Sequence, residues 1–163
     1  MVRTTAPPPT KGMSMTEVLS PLAGSVLSLS AVPDQLFAVG AMGPGIAIEP
    51  PAAVVEVVSP ISGTLLQVFP HAFVVVGDDE LGVLVHLGID TVQLKGEGFT
   101  ALAAKGDSVS AGAPVISYDV PAIRAAGFAS IVPVVILERP ADTLVVLPAE
   151  GDDVLPGTPL LTV

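Results

Sequence analysis

The chain has 163 residues, which is enough for one domain with a hydrophobic core. Half of its residues (50%) are hydrophobic and none is cysteine, so disulfides, thiolate metal sites and cysteine nucleophiles are excluded. Six basic and 16 acidic residues give a formal charge of −10, which argues against a nucleic-acid surface and favours a partner with a basic patch.

The first 15 residues, MVRTTAPPPTKGMSM, predict a disordered tail or linker, because they are rich in proline and threonine and lack apolar periodicity. We predict that residues 16–163 form a single domain. No apolar run approaches the ~18 residues of a membrane-spanning helix, and we find no basic, apolar leader typical of secretion. We therefore expect a cytoplasmic protein without direct membrane insertion.

From Thr16 onward, short runs of Val, Ile and Leu alternate with small or polar residues and end at Gly or Pro. With 16 glycines and 17 prolines, the chain disfavours long helices. The exception begins at Asp119, a suitable cap, with Pro121 in the first turn and Gly127 at the end. The pattern predicts an all-β fold, an antiparallel β-sandwich or barrel with one or two short helical turns.

Two segments of the sequence are repeated. SPLAGSVLSL at 20–29 is similar to SPISGTLLQV at 59–68, and GDSVSAGAPV at 106–115 is similar to GDDVLPGTPL at 151–160. Each segment reads as a turn followed by a strand. The repeats indicate a duplicated motif and a pseudo-symmetric fold, and they carry no chemistry of their own.

The only two histidines are His71 and His86. The segment between them predicts a hairpin with strands at 72–76 and 83–87 and a turn near Asp79, which would place the two histidines directly opposite each other. A single histidine in an apolar strand is more often structural than chemical. A facing pair in a chain with no other histidine gives the chemical interpretation equal weight.

Three chemistries suit such a pair. A zinc site could draw on His71, His86 and the carboxylate of Asp90, which are too few ligands for zinc. Zinc would therefore need a ligand from a partner, and we predict no obligatory metal. A Ser–His–Asp hydrolase is disfavoured because the G-x-S-x-G elbow is absent. In the third, one imidazole takes a phosphoryl group while the other, with backbone amides near Gly88, stabilises the phosphoryl oxygens.

A series of segments that occur in order across 16–163 resembles a known family. The family is the glucose-type enzyme IIA of the bacterial phosphoenolpyruvate-dependent sugar phosphotransferase system. The most specific segment is HLGIDTVQLKGEGF, at 86–99. The segments are SPLAG, VPDQLFA, GPGIAIEP, SPISGTL, HAF, VHLGIDTVQLKGEGF, KGDSVSAG and VPVVIL.

The resemblance implies a phosphoryl carrier without an obligatory cofactor. His86 would accept a phosphoryl group from the phosphohistidine of the carrier HPr and pass it to a cysteine of a IIB domain. His71 matches the family's second active-site histidine. Gly88 matches the position whose carbonyl orients the nucleophilic ring.

The resemblance also implies a docking surface for these partners. Asp34 and Asp90 match carboxylates that meet an arginine of HPr, and Phe37, Phe69 and Leu84 match an apolar ring around the site.

The sequence departs from the family pattern at three places. The family's threonine before HA is absent here, Pro44 replaces an aspartate, and Leu84 replaces an aromatic residue. The alternative function is a regulatory module that binds metabolic or transport proteins and shares a zinc ion through His71 and His86. A zinc peptidase would need more histidines than the chain has, and a lipoyl carrier would need a lysine at a hairpin tip.

Overall fold

The computed structural model describes residues 16–77, 80–140 and 143–163. The tail predicted for residues 1–15 lies outside these ranges. Within them, most of the regular structure is β-strand. The strands are β1 Glu17–Leu19, β2 Gly24–Leu27, β3 Gly45–Glu49, β4 Val54–Val58, β5 Gly63–Phe69, β6 Ala72–Val76, β7 Gly82–His86, β8 Phe99–Ala101, β9 Ser108–Val109, β10 Pro114–Asp119, β11 Val132–Leu137, β12 Val145–Val146, β13 Asp153–Val154 and β14 Pro159–Thr162.

The helices are short and sit in the connections between strands. Helix α1 is Gln35–Ala38 and helix α2 is Val120–Ala125, and 3₁₀ helices within the described ranges include Leu29–Ala31 and Thr91–Leu94. Their length follows from the frequent Gly and Pro, which interrupt helical hydrogen bonding. No helix in the described ranges is long and apolar enough to cross a bilayer.

The strands form three antiparallel sheets. The largest has the order β13-β2-β3-β11-β7-β6-β5-β9, and two smaller sheets have the orders β1-β14-β12 and β4-β10-β8. Every described strand pair is antiparallel. The all-β antiparallel fold predicted from the sequence is confirmed.

The repeated segments occupy equivalent places in the large sheet. Strand β2, from the first repeat, pairs with β13, and β5, from the second, pairs with β9. Just before these strands, the Ser20 hydroxyl donates to the Leu22 carbonyl (2.6 Å), and the Ser59 hydroxyl donates to the Ile61 carbonyl (2.7 Å). The same buried turn therefore opens both copies of the motif.

Helix α2 lies where the sequence predicts it. The Asp119 carboxylate accepts a hydrogen bond from the Ala122 amide (3.1 Å), which satisfies one of the free donors of the first turn. Pro121 lies in that turn. Gly127 follows the helix at a φ of 90°, a conformation that favours glycine.

The hairpin formed by β6 and β7 departs from the predicted register by one residue. Its strands pair with His86 opposite Ala72, and not opposite His71. His71 belongs to the turn that joins β5 to β6, since Phe69 pairs with Ala72 across that turn. The predicted direct opposition of the two histidines is therefore wrong, and the predicted turn residue Asp79 lies outside the described ranges.

Two hydrophobic clusters fill the interior. The larger packs the sheets together around fully buried side chains such as Tyr118, Phe73 and Leu65. The smaller one includes Phe37 and Leu84, and it lies beside the β6–β7 pair at the level of the histidines. It brings an apolar side chain against His86, since the ring centroids of Phe37 and His86 are 5.3 Å apart.

Candidate active site

The imidazole of His86 is fixed by a backbone carbonyl. Its Nδ1 lies 2.6 Å from the carbonyl oxygen of Gly88, two residues along the chain. Because a carbonyl only accepts, Nδ1 carries the proton and donates it. The lone pair of the ring is then left on Nε2, which is the nucleophilic nitrogen.

Gly88 is required by its surroundings. Its φ is 79°, and a Cβ at this position would meet the side chain of Thr91 at 2.6 Å, the Ala129 carbonyl at 2.8 Å and the Tyr118 hydroxyl at 3.1 Å. Its amide donates to the Ile131 carbonyl (3.1 Å). The carbonyl that orients His86 is thus held by a crowded and specific backbone.

The second histidine lies next to the first. The ring centroids of His71 and His86 are 5.2 Å apart with an interplanar angle of 72°. The Leu87 amide donates to the His71 carbonyl (2.7 Å), which ties the β5–β6 turn to the end of β7. The pair meets because the turn carries His71 over the end of the neighbouring strand.

The surroundings of both histidines disfavour the protonated ring. Burial lowers the pKa of His71, and the neighbouring His86 lowers that pKa further. Burial also lowers the pKa of His86, and this effect outweighs the opposing effects of the Gly88 carbonyl, Asp34 and Asp90. A neutral His86 near pH 7 presents a free lone pair on Nε2.

The two predicted carboxylates lie on loops around His86. Asp34 caps α1, where it accepts a hydrogen bond from the Leu36 amide (2.9 Å). Asp90 is exposed, and its backbone has the left-handed conformation with a φ of 62°. It is the N-cap of the 3₁₀ helix Thr91–Leu94, which follows the Gly88 bend. Both carboxylates act electrostatically on His86. They give the approach to the ring a negative potential.

The family model for the phosphoenolpyruvate-dependent sugar phosphotransferase system, EIIA 1, matches residues 16–141. The chain belongs to this family. It is a glucose-type EIIA, as the sequence resemblance indicated.

Two relatives agree with this assignment. The glucose-specific EIIA component of Oceanobacillus iheyensis is 40% identical over 121 residues, which are 73% of this chain and 72% of that protein. The β-glucoside-specific EIIBCA component of Bacillus subtilis is 44% identical over 119 residues, covering 72% of this chain and 19% of that protein. The EIIA chain thus spans about a fifth of the length of that multidomain relative.

A solved structure has the same fold. The glucose permease IIA from Mycoplasma capricolum matches with a TM-score of 0.82 and 28% identity, covering 91% of this chain and 96% of that chain. The match supports the curled antiparallel architecture that brings the β5–β6 turn and the end of β7 together in this EIIA.

The predicted apolar ring of the EIIA site divides into buried and exposed members. Phe37 is 6% exposed, with its ring centroid 5.3 Å from that of His86, and Leu84 is 9% exposed. Phe69 is 46% exposed and stacks on His71, with centroids 5.9 Å apart. Of these three side chains, Phe69 alone is well exposed, while Phe37 and Leu84 belong to the smaller buried cluster.

Three exposed apolar residues, each within two positions of Phe37 or Asp90 in the chain, were not predicted from the sequence. Leu36 in α1 and Val39, which follows that helix, are 57% and 65% exposed, and Val92 in the 3₁₀ helix is 59% exposed. With Phe69 they form a set that we call the apolar rim. The signal in the sequence was weak, since elements of four residues show no helical periodicity.

The residues present fit a metal only in part. Two facing imidazoles supply two of the four ligands that zinc prefers. Among the described residues, no group of three or more histidine, aspartate or glutamate side chains is placed to hold a metal ion. Zinc shared through His71 and His86 with a partner stays a prediction.

A polar network around Ser130 was also not predicted from the sequence. Ser130 is 4% exposed; its hydroxyl donates to the Glu49 carboxylate (2.7 Å) and accepts from Arg124 Nε (2.9 Å). The Tyr118 hydroxyl donates to the Ser130 carbonyl (2.9 Å). Burial raises the pKa of Tyr118 and so keeps this hydroxyl protonated. No motif marks these residues: Tyr118, Arg124 and Ser130 lie within 12 positions of one another, and Glu49 is 81 positions from Ser130.

Proposed function

We propose that this EIIA carries a phosphoryl group on Nε2 of His86. Phosphorylated HPr is the donor, and a cysteine of a IIB domain is the acceptor. The observation that carries the proposal is the Nδ1 contact with the Gly88 carbonyl, because it leaves Nε2 as the free nucleophile. We also propose that the reaction takes place in the cytoplasm.

The transfer exchanges one phosphorus bond for another at each step. The P–N bond of phosphohistidine in HPr breaks as the P–Nε2 bond of His86 forms. In the second step the P–Nε2 bond breaks as a P–S bond forms on the cysteine thiolate of IIB. The chain itself has no cysteine, so the thiol belongs to the partner.

His71 serves the transferred group in this proposal. Its ring is close enough to His86 for one nitrogen to donate a hydrogen bond to a phosphoryl oxygen on Nε2. Such a donor stabilises the charge that spreads over the oxygens in the transition state. Asp34 and Asp90 attract an arginine of HPr, and the apolar rim supplies contact area that excludes water.

The proposal is tested by reconstitution with phosphoenolpyruvate, enzyme I and HPr. We expect one equivalent of acid-labile, alkali-stable phosphate on the wild-type chain and none on His86→Ala. Wild-type protein that takes up no phosphate, or His86→Ala that still does, would overturn the proposal.

His71→Ala is the matched control, because it removes the only other histidine. It should accept phosphate from HPr and transfer it poorly to an isolated IIB domain. Equal transfer by His71→Ala and the wild type would remove His71 from the mechanism while leaving the role of His86 intact.

A further inference from the structure

The Gly88 bend is supported from one side by the chain segment that leads into β11. The Gly88 amide donates to the Ile131 carbonyl (3.1 Å), and the Ile89 amide donates to the Ala129 carbonyl (3.0 Å). Both acceptors flank Ser130. The position of the carbonyl that orients His86 therefore depends on where the segment 129–131 lies.

That segment is anchored through Ser130. The Ser130 hydroxyl bridges Glu49 at the end of β3 and Arg124 in α2. Arg124 also donates to the Glu49 carboxylate (3.1 Å) and to the Pro50 carbonyl (2.7 Å). One side chain of α2 is thereby joined to the large sheet and to the segment that holds Gly88.

Tyr118 connects the same anchor to the bend itself. Its hydroxyl donates to the Ser130 carbonyl (2.9 Å), and a Cβ on Gly88 would lie only 3.1 Å from that hydroxyl. Its ring is fully buried and stacks on Phe99, with centroids 5.5 Å apart and an interplanar angle of 8°. The hydroxyl thus fills the space beside Gly88 and cannot shift freely.

We propose that Tyr118, Ser130, Arg124 and Glu49 are positioning residues for phosphoryl transfer. They hold the segment 129–131 in place, and this segment in turn positions Gly88. The Gly88 carbonyl then fixes the proton of His86 on Nδ1 and leaves the lone pair on Nε2. The inference rests on the proposed function, since it concerns the same histidine. None of the four residues touches the His86 ring in the described contacts.

The experiment compares three variants with one control in the full chain. Tyr118→Phe removes the donor to the Ser130 carbonyl, Ser130→Ala removes the bridge, and Arg124→Ala truncates a side chain that is 39% exposed and so should still fold. The control is Ser59→Ala, which removes an equally buried serine hydroxyl in the duplicated turn.

The first readout is ¹⁵N NMR of the His86 ring, which reports the tautomer without any phosphorylation. We expect the variants to shift from the Nδ1–H form toward the mixture of a free imidazole, and Ser59→Ala to match the wild type. The second readout is the rate of phosphate uptake from HPr. It should fall about three- to tenfold with an unchanged KM, because the ring spends less time in its productive orientation.

Ser130→Thr keeps the hydroxyl and should restore both readouts. An unchanged His86 tautomer in all three variants would overturn the inference, and so would an equal loss in Ser59→Ala, which would indicate general destabilisation. If the wild type takes up no phosphate, the proposed function fails, and the tautomer measurement still decides the positioning role.

Discussion

The His86 Nδ1 atom lies 2.6 Å from the Gly88 carbonyl oxygen, so the residue proposed as the nucleophile and the residue that orients its ring are two positions apart in one bend. This relationship makes Gly88 sensitive to substitution. Gly88→Ala adds a Cβ at a φ of 79° and against three neighbouring groups. We expect a loss of about 2–4 kcal/mol in the free energy of unfolding, measured by urea denaturation, and slower uptake of phosphate.

Gly127→Ala is the control for that substitution. Its φ of 90° is similarly unfavourable, but a Cβ there meets nothing within 4 Å. We expect a loss of about 1–2 kcal/mol and a normal rate of phosphate uptake. If both variants lose the same stability and keep the same rate, the crowding around Gly88 has no functional consequence.

The pKa of His71 reports its electrostatic interaction with His86. His86 lowers the pKa of His71 after burial has already lowered it. In His86→Gln the pKa of His71 should therefore rise toward, but stay below, its ordinary value of about 6.5. An NMR titration reads this without ambiguity, since the variant has a single histidine in its sequence. An unchanged or lower pKa would show that the rings do not interact electrostatically.

The same lowered pKa values make stability depend on pH. Because the folded state disfavours protonation of His71 and His86, the unfolded state binds more protons in the window below the ordinary histidine pKa. Stability should fall as the pH drops from about 7 to about 5. The double variant His71→Gln/His86→Gln should lose most of this slope in denaturation curves, and a wild-type slope in that variant would assign it to other groups.

The duplicated motif, helix α2 and the strands around the histidines could be predicted because their signals are local. Asp119 and Gly127 mark the ends of a helix within a few residues, and the SP-x-x-G repeats mark equivalent turns. The register of β6 and β7 was missed by one residue, since it depends on how His71 leaves the strand for the turn. The rings of His71 and His86 still meet. His71 lies in a turn, where side chains need not alternate between the two faces of the sheet as they do in a strand.

Other features of the site have no local signal. Ser130 and Glu49 are 81 residues apart in the chain, so their hydrogen bond is a product of the folded topology. In α1, Phe37 is buried while Leu36 is exposed, and four residues are too few to reveal which side faces inward.

Asp34 and Asp90 should contribute through charge, and asparagine separates that charge from their structural roles. Asparagine caps helices as well as aspartate does, so Asp34→Asn keeps the hydrogen bond from the Leu36 amide. Asparagine also tolerates the left-handed backbone conformation of Asp90, so Asp90→Asn should leave the local structure unchanged. We expect each single variant, Asp34→Asn and Asp90→Asn, to raise the KM for phosphorylated HPr about three- to tenfold at low salt, and the difference to shrink at high salt.

Asp107→Asn is the matched control for these two substitutions. Its carboxylate is exposed and accepts a hydrogen bond from the Ala104 amide (2.9 Å), so it removes a similar charge from a similar turn. Its KM should equal that of the wild type. An equal rise in KM for Asp107→Asn would mean that net charge, and not the charge beside His86, governs the encounter with HPr.

The apolar rim should act through contact area. Val39 is 65% exposed at the end of α1, so Val39→Asp leaves the core intact while it places a charge in the surface that we propose for donor binding. We expect the KM for phosphorylated HPr to rise about tenfold, with the unfolding midpoint unchanged. Leu155→Asp makes the same change at a side chain that is 68% exposed and lies outside the rim. It should leave the KM unaltered, and an equal effect of the two variants in steady-state assays would remove the rim from the docking surface.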